Sequence, residues 1–327
     1  MDRWPSGACR ADAEAALASS GHSGRNPRSR GGPVSTRDRI TRRWITTGVL
    51  AAIGVAAVYW LAVLTPQGQG VENSGLRGAD LVFGRAAGTA AGTLADVTPL
   101  SMVVGALLAA AIALIRRRPA LAVASVGSIV VTAGLTQLLK NVVLDRPELV
   151  DTDSWYTGGS FPSGHTAAAV SVVFALAMVV PGRARTVVLS LGGAVVVLVG
   201  NVTMAASWHR ASDVLGADLV ALVSASAACA WLTTRAQVGR APRKHPRRGV
   251  NRLLLACAVV VVVLLAALAV QGIQYYPDDT KDLAAFALLQ LLAVSTSTLA
   301  VLGFSLAWRG LDVGGALTSS VPRPRSA

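Results

Sequence analysis

Long runs of uncharged, apolar residues recur along this chain of 327 residues, and they restrict its possible folds more than any other feature. A helical run of about 20 such residues spans the hydrocarbon core of a bilayer. Only 14% of the residues are charged, whereas soluble domains carry roughly 25%. The sequence therefore predicts an all-α, polytopic integral membrane protein.

The apolar runs indicate about eight transmembrane helices. Their predicted ranges are 44–64, 100–115, 120–139, 163–180, 186–207, 212–231, 253–270 and 283–308. The first six form a predicted membrane core over residues 44–235. The last two form an additional transmembrane hairpin over residues 253–308, whose role the sequence does not reveal.

The segments between and beyond the spans differ in composition. Residues 1–43 are rich in Gly, Ser, Pro and Arg, which is typical of a disordered tail. Residues 236–252 are predicted to form a basic loop, and residues 309–327 a second tail. The Gly-rich residues 65–98 are expected to form a loop, with at most a short interfacial helix near residues 76–88.

Basic residues mark alternate ends of the predicted spans. Arginines precede the first span, and others occur at Arg116–Arg118, Arg183, Arg185 and within 235–252. Eight spans place all of these, and both termini, on one side, which the positive-inside rule identifies as cytoplasmic. The net charge of +13 therefore reflects membrane topology, and no nucleic acid partner is expected. The three cysteines show neither a disulfide framework nor metal-ligand spacing.

The stretch Phe161-Pro162-Ser163-Gly164-His165 lies between a polar loop and an apolar run. Ser163 is a suitable helix N-cap. Gly164 lets a ligand approach the first backbone N–H groups, and such groups bind anions at helix N-termini. His165 is expected on the first turn, close enough to give a proton to a bound group. The alternative is an ordinary helix start with an incidental histidine.

A second histidine, His209, lies four residues before Asp213. At the start of a helix these two side chains share one face. A carboxylate that accepts from one imidazole nitrogen fixes the tautomer, and the other nitrogen is then left as a base or nucleophile. Trp208 and Arg210 also suit a membrane interface, which is the alternative explanation of this segment.

Two cations, Lys140 and Arg146, follow the third predicted span on the same side of the membrane as both histidines. Each alone is explained as a charge at a helix end. Together, two cations, a helix N-terminus and two histidines indicate a phosphate site on the extracytoplasmic side. Asp218 is a further candidate, because an acid within a span is costly and often functional; local pairing is the alternative.

These clusters resemble the pattern of the type 2 phosphatidic acid phosphatase (PAP2) superfamily of membrane phosphatases. That pattern consists of Lys, six residues, Arg-Pro; then Pro-Ser-Gly-His; then Ser-Arg, five residues, His, three residues, Asp. Here Pro-Ser-Gly-His is complete at residues 162–165, and the end of the third part is present at His209 and Asp213. The resemblance covers residues 140–216.

The chain departs from the family pattern in two places. Five residues, not six, separate Lys140 from Arg146, so Arg146 reaches the same site only if the helix has already ended. Val202 and Thr203 stand where the family has Ser-Arg. Arg210 is the candidate substitute for the missing arginine.

The resemblance implies a residue-by-residue mechanism. His209 would be the nucleophile that forms a phosphohistidine, Asp213 would orient it, and His165 would protonate the leaving oxygen. The implied phosphate-binding groups are Lys140, Arg146, Ser163, Gly164 and Arg210. The resemblance also implies a six-span core, a lipid phosphate or prenyl diphosphate as substrate, and neither a metal nor a cofactor.

Two other functions remain open from the sequence. One is a phosphotransferase that passes the phosphoryl group from His209 to an acceptor other than water. The other is a non-catalytic lipid-phosphate-binding protein of the same fold, which the missing arginine favours and the intact His165, His209 and Asp213 oppose. A transporter is disfavoured, because internal repeats and paired broken helices are not evident.

Overall fold

The structure is a computed structural model, and it describes residues 35–151, 160–241 and 277–314, together with positions 259 and 263. Side chains are described for these residues except 85–98 and 277. Most of the predicted seventh span and of the basic loop before it lie outside the described residues, as does the greater part of both predicted tails.

Helices make up most of the described chain, and the predicted all-α fold is confirmed. In chain order the α-helices are α1 (Thr36–Val58), α2 (Pro66–Ile115), α3 (Pro119–Leu138), α4 (Gly164–Val179), α5 (Gly182–Ala205), α6 (Ala211–Thr234) and α7 (Thr280–Ala307). The shorter elements are π-helical turns at Tyr59–Val63 and Leu139–Val143, a 3₁₀ turn at Pro277–Asp279, and two antiparallel strands, β1 (Val238–Arg240) and β2 (Leu311–Val313).

Five helices in the described residues are long and apolar enough to cross a membrane: α1, α3, α5, α6 and α7. Two shorter apolar helices, Pro99–Ile115 and Gly164–Val179, lie at the second and fourth predicted spans. The chain is therefore a multi-pass membrane protein. The first helix begins at Thr36, eight residues before its predicted start.

The helices alternate in direction, so the bundle has two chemically different ends. One end carries the C-termini of α1, α3 and α5 and the N-termini of α4, α6 and α7; we call it the site end. The opposite end carries the N-termini of α1, α3 and α5 and the C-termini of α2, α4, α6 and α7; we call it the basic end. Arg43 ties α1 to α7 there, because its guanidinium donates to the carbonyls of Leu306 (2.7 Å) and Arg309 (2.9 Å).

An aromatic cluster near the basic end packs α1, α4 and α7 together. The Phe174 and Phe304 rings are stacked, with centroids 4.3 Å apart, and Trp44 meets Trp308 edge to face at 5.3 Å. The guanidinium of Arg185 lies 3.8 Å from the centre of the Trp308 ring. In a bilayer, helices associate mainly through close packing of this kind, because exclusion of apolar surface from water does not drive their association there.

The prediction of a loop over residues 65–98 was wrong, because these residues belong to α2. Thr65 caps this helix by accepting a hydrogen bond from the Gly68 N–H (3.0 Å), and Pro66 follows at a position where no donor is lost. Gly84, with φ of 47°, breaks the helical path into two segments. Burial at helical spacing compensates for the many glycines of the first segment, through Gln69, Glu72, Leu76 and Ala79.

The first segment of α2 packs closely against the start of α7. A side chain at Gly78 would lie 2.2 Å from the Asp282 carbonyl oxygen, so only glycine allows this approach. Beside it, Arg77 Nε forms an ion pair with Asp282 Oδ2 (2.8 Å). Helix α7 therefore supports residues 66–83 from the side.

Helix α7 also makes buried polar contacts with the core. Gln290 Nε2 donates to the Asn201 carbonyl (3.2 Å), and Ser297 Oγ donates to Asp218 Oδ2 (2.7 Å). All four side chains are buried. Asp218 therefore has a partner within the helix bundle, which is the local pairing that the sequence left open.

The β1–β2 pair was not predicted, since β1 falls in the expected basic loop. Val238 pairs with Val313 and Arg240 with Leu311, so the chain after α6 is joined to the chain after α7. The carboxylate of Asp312 in β2 lies 3.4 Å from Arg185 at the start of α5. This small sheet therefore links the segments that follow α6 and α7 to the start of α5.

Candidate active site

The N-terminus of α4 is built as the sequence predicts. Ser163 caps the helix, with its Oγ accepting from the Thr166 N–H (3.3 Å). The Ser163 N–H donates to the Asp213 carbonyl (2.9 Å), which joins the starts of α4 and α6. Within the described residues, the N–H groups of Gly164 and His165 donate no hydrogen bond, and a side chain at Gly164 would meet no atom within 4 Å. This helix start is therefore open to an anion.

The two histidines face each other across the starts of α4 and α6. His165 Nδ1 lies 3.4 Å from His209 Nε2, and the ring centroids are 5.6 Å apart. The Trp208 ring lies on another side of His165, with centroids 5.4 Å apart. His209 is buried, whereas His165 is partly exposed. A ligand at the open start of α4 would therefore meet His165 first and His209 behind it.

Asp213 holds His209 in place from inside the protein. Its Oδ2 lies 3.3 Å from His209 Nδ1, and it accepts hydrogen bonds from the Arg210 N–H (2.9 Å) and from the Ser160 hydroxyl. Asp213 is fully buried. A carboxylate in this position favours a proton on Nδ1, so Nε2 carries the lone pair and faces His165.

The turn between α5 and α6 sets the position of His209. The Thr203 carbonyl accepts from the N–H groups of Trp208 (3.1 Å) and His209 (3.2 Å). Ser207, with φ of 56°, turns the chain and donates through its hydroxyl to Asp80 on α2 (2.6 Å). Thr203 stands where the family pattern has arginine, and its own hydroxyl donates to the Gly200 carbonyl (2.8 Å). It therefore supports the turn through its backbone.

Arg146 reaches the site because the helix before it ends early. The π-helical turn after α3 closes with a hydrogen bond from Leu144 N to the Leu139 carbonyl (2.9 Å), and Leu144 is extended. Lys140 and Arg146 therefore do not lie on one continuous helix. Arg146 turns inward, and its Nη1 lies 3.8 Å from Asp213 Oδ1. Lys140 is partly exposed and lies close enough to His165 for its charge to act on that imidazole.

Glu72 on α2 is the site residue that the sequence reasoning missed. Its Oε2 accepts from Arg146 Nη2 (2.6 Å), and its Oε1 accepts from the Ser212 N–H at the start of α6 (2.9 Å). Glu72 is buried, and the loss of hydration raises its pKa even though the Arg146 charge acts in the opposite direction. The Thr65-Pro66 helix start and the helical spacing of the following buried residues were the signals that could have revealed it.

Another residue of α2, Gln69, fixes the loop that carries Arg146. Its Nε2 donates to the carbonyls of Val63 (2.7 Å) and Pro147 (2.6 Å), and its Oε1 accepts from the Leu149 N–H (3.1 Å). The loop is thus held on the α2 segment at both Pro147 and Leu149.

The side chain of Arg210 is not directed between the histidines. It is buried, and its Nη2 lies 3.4 Å from Asn73 Oδ1 on α2. Together with His209, it borders a narrow crevice whose other wall includes Phe286 and Leu289 of α7. Arg210 supports the histidine pair through its backbone, because its N–H donates to the Asp213 carboxylate that contacts His209. In the described residues, no three His, Cys, Asp or Glu side chains are grouped as metal ligands.

A comparison with protein-family models gives one match, the PAP2 superfamily, over residues 121–237. The resemblance to the PAP2 superfamily is thus supported over residues 121–237. The matched range contains every site residue predicted from the sequence, whereas Glu72 and α7 lie outside it. No curated protein and no solved structure matches the chain. The PAP2 match indicates a phosphatase-type activity.

Proposed function

We propose that this PAP2 protein is a lipid-phosphate or lipid-diphosphate phosphatase that acts through a phosphohistidine. The observation that carries the proposal is the line of Asp213, His209 and His165. Asp213 lies 3.3 Å from one nitrogen of His209, and His165 lies 3.4 Å from the other. A base that is oriented on one side and open to a second histidine on the other suits nucleophilic attack followed by protonation of a leaving group.

In the first step, the lone pair of His209 Nε2 attacks the phosphorus of the substrate. An N–P bond forms as the bond from phosphorus to the lipid oxygen breaks. Protonated His165 gives its proton to that oxygen, so the lipid leaves as an alcohol, or as a monophosphate if the substrate is a diphosphate. The Asp213 carboxylate stabilises the positive charge that develops on His209.

In the second step, neutral His165 takes a proton from water as the water oxygen attacks the phosphorus. The N–P bond breaks, its electron pair returns to His209 Nε2, and inorganic phosphate is released. His165 is then protonated again, so the cycle closes without any other reactant.

Charge and backbone donors at the site end fit a phosphoryl group. Phosphoryl transfer depends mainly on positioning and on stabilisation of the charged oxygens. The proposed donors are the N–H groups of Gly164 and His165, the Ser163 cap that presents them, and the cations Lys140 and Arg146. Arg146 Nη1 makes no hydrogen bond within the described residues, and its nearest carboxylate oxygen there, Asp213 Oδ1, is 3.8 Å away.

The surroundings of Lys140 favour a lipid substrate. Val142 and Val143 follow it in the π-helical turn and are 76% and 58% exposed. Apolar side chains exposed at the end of a membrane-spanning helix are suited to contact acyl or prenyl chains. A lipid whose tail lies beside this turn would place its phosphate near Lys140 and the open start of α4.

The arginines at the basic end support an orientation of the protein in the membrane. Positive residues are enriched on the cytoplasmic side, so we place the basic end in the cytoplasm. The histidine pair then faces the extracytoplasmic side.

A non-catalytic lipid-phosphate-binding role is the second candidate. Two observations favour it: Thr203 replaces the motif arginine, and Arg146 is already paired with Glu72 at 2.6 Å. A phosphotransferase is distinguished from a phosphatase only by its acceptor, so the products identify it.

The test is an assay of the purified chain against a panel of lipid monophosphates and diphosphates, with EDTA present. We expect phosphate release from at least one lipid and a ³²P-labelled intermediate that is stable to base and labile to acid. His209→Ala should abolish both, while an exchange at the exposed Asp151, Asp151→Ala, should change neither. Binding without release in the unaltered chain would indicate the non-catalytic role, and transfer to an added alcohol would indicate a phosphotransferase. Undiminished release by His209→Ala would contradict the assignment of the nucleophile.

A further inference from the structure

A second cluster of positive charge lies at the basic end, at the opposite end of the bundle from the histidine pair. It surrounds a cavity of about 340 Å³ between the first turns of α1, the end of β1 and the turn that joins α7 to β2. We call this cavity the arginine pocket. Its lining residues are Arg39, Arg43, Arg240 and Arg309, with Thr36, Ile40, Ala241, Gly310 and Leu311.

The composition of the arginine pocket suits an anion. Four of the lining residues are arginines, and none of the lining residues in the described part of the chain is acidic. Arg39, Arg240 and Arg309 are exposed, and their like charges repel one another unless an anion lies between them. The guanidinium group presents several donors in a fixed plane that matches phosphate oxygens.

The positive-inside rule accounts for arginines at this end of the bundle but does not require them to surround a cavity. Here three segments that are distant in sequence converge. Arg240 in β1 pairs with Leu311 in β2, and the Ala241 N–H donates to the Gly310 carbonyl (2.9 Å). Arg43 is positioned by the carbonyls of Leu306 and Arg309. The small sheet and the end of α7 therefore hold the pocket in shape.

The surface below the pocket is suited to a lipid tail. Leu50 lies seven positions after Arg43, which returns it to nearly the same face of α1, and it is 63% exposed. Ile53, one turn further, is 60% exposed. Basic pockets between membrane helices at a cytoplasmic surface bind anionic lipid head groups. We propose that the arginine pocket binds a phosphate-bearing anion, with an anionic phospholipid as the source, its head group among the arginines and its tail along α1.

The test uses the purified full chain in neutral detergent, titrated separately with short-chain phosphatidylglycerol and with inorganic phosphate at constant ionic strength. Binding is measured by native mass spectrometry and by the shift in melting temperature. The informative variant is Arg39→Gln/Arg240→Gln. Its matched control, Arg37→Gln/Arg42→Gln, removes two exposed charges from the same end of the protein that do not line the pocket. The catalytic histidines and their cations are unchanged in both variants.

We expect saturable binding of one phosphatidylglycerol by the unaltered chain and by the control, and binding weaker by about tenfold or more in Arg39→Gln/Arg240→Gln, since charge-assisted hydrogen bonds are lost. If phosphatidylglycerol binds and inorganic phosphate alone does not, the source is a lipid. If inorganic phosphate binds with the same loss in the variant, the pocket recognises the phosphate group alone. Equal affinities of the two double variants, or no saturable binding of either probe, would overturn the proposal.

Discussion

Glu72 Oε2 lies 2.6 Å from Arg146 Nη2, and this ion pair joins α2 to the loop after α3 at the centre of the site end. Arg146 lies between two carboxylates, because its other terminal nitrogen is 3.8 Å from Asp213. The cation that the sequence assigned to phosphate binding is therefore held by a residue outside the family motifs. Its position depends on Glu72 as much as on its distance from Lys140.

Removing Glu72 should destabilise the protein and reduce its activity. Glu72→Ala leaves the buried Arg146 guanidinium without its partner, and breaking a buried pair in this way costs about 3–5 kcal/mol. Glu72→Gln keeps an acceptor oxygen and should be less harmful. Melting temperature in detergent and phosphate release measure the two effects. Glu148→Ala, an exposed carboxylate on the same loop, is the control; equal tolerance of both alanine variants would contradict this role for Glu72.

The raised pKa of Glu72 predicts a pH dependence of stability. A carboxyl group whose pKa is higher in the folded state keeps its proton there while the unfolded chain loses it, so stability falls as pH rises from about 4.3, the ordinary value, to the raised pKa. The melting temperature of the unaltered chain, minus that of Glu72→Gln, should fall over this range and then level off. A difference that rises with pH would show that the Arg146 charge outweighs burial.

Replacing Asp213 with asparagine should impair turnover more than folding. The amide has nearly the same size, but it no longer favours a proton on His209 Nδ1, so Nε2 loses its fixed lone pair. We expect kcat for phosphate release to fall by about a hundredfold or more, with a smaller change in KM. Asp151→Asn, at an exposed carboxylate, should leave both constants unaltered. A kcat within a few fold of the unaltered enzyme would remove Asp213 from the mechanism.

Two glycines near the site should respond oppositely to substitution by alanine. A methyl group at Gly216 would lie 2.6 Å from the Phe161 ring, so Gly216→Ala should displace the loop before α4 and lower the melting temperature. A methyl group at Gly164 meets no protein atom within 4 Å, so Gly164→Ala should keep the melting temperature and raise KM by crowding the phosphate. A fall in melting temperature for Gly164→Ala, or none for Gly216→Ala, would contradict this geometry.

Ser297 should contribute to stability through Asp218. Ser297→Ala removes the hydrogen bond that the Ser297 hydroxyl donates to this buried carboxylate, and a buried acceptor left unsatisfied costs about 1–3 kcal/mol. Ser295→Ala is the control, since the Ser295 hydroxyl is exposed and donates to the Leu291 carbonyl of its own helix. Equal melting temperatures of the two variants would show that Asp218 does not depend on α7.

The spans and the histidine segments could be predicted because they rest on local signals. Apolar length marks α1 and α3 to α7, and the Pro-Ser-Gly-His stretch contains its own helix cap. The first segment of α2 could not be predicted in this way, because its many glycines disfavour a helix. Contacts with α7 and with the site stabilise the helix instead. Glu72 was missed for the same reason, since its partners lie at Arg146 and Ser212, far along the chain.

The sequence allowed Arg146 to reach the site only if the helix had already ended, and the structure meets this condition. The residue at which the chain leaves the helix was not predicted. Counting residues along an ideal helix assumes that the helix continues, whereas the chain leaves the helical path at Leu144 after a π-helical turn. The direction of the Arg210 side chain was equally beyond sequence reasoning, because it follows from a contact with Asn73 on α2.

The tie between Arg77 and Asp282 has a practical consequence for anyone who shortens this chain. A fragment trimmed to the family match would keep both histidines and Asp213, yet it would lack Glu72. A fragment that kept α2 without α7 would lose the contacts of residues 66–83 with α7, including the Arg77–Asp282 ion pair. The smallest working unit should therefore run from α1 through β2, well beyond the stretch that identifies the superfamily.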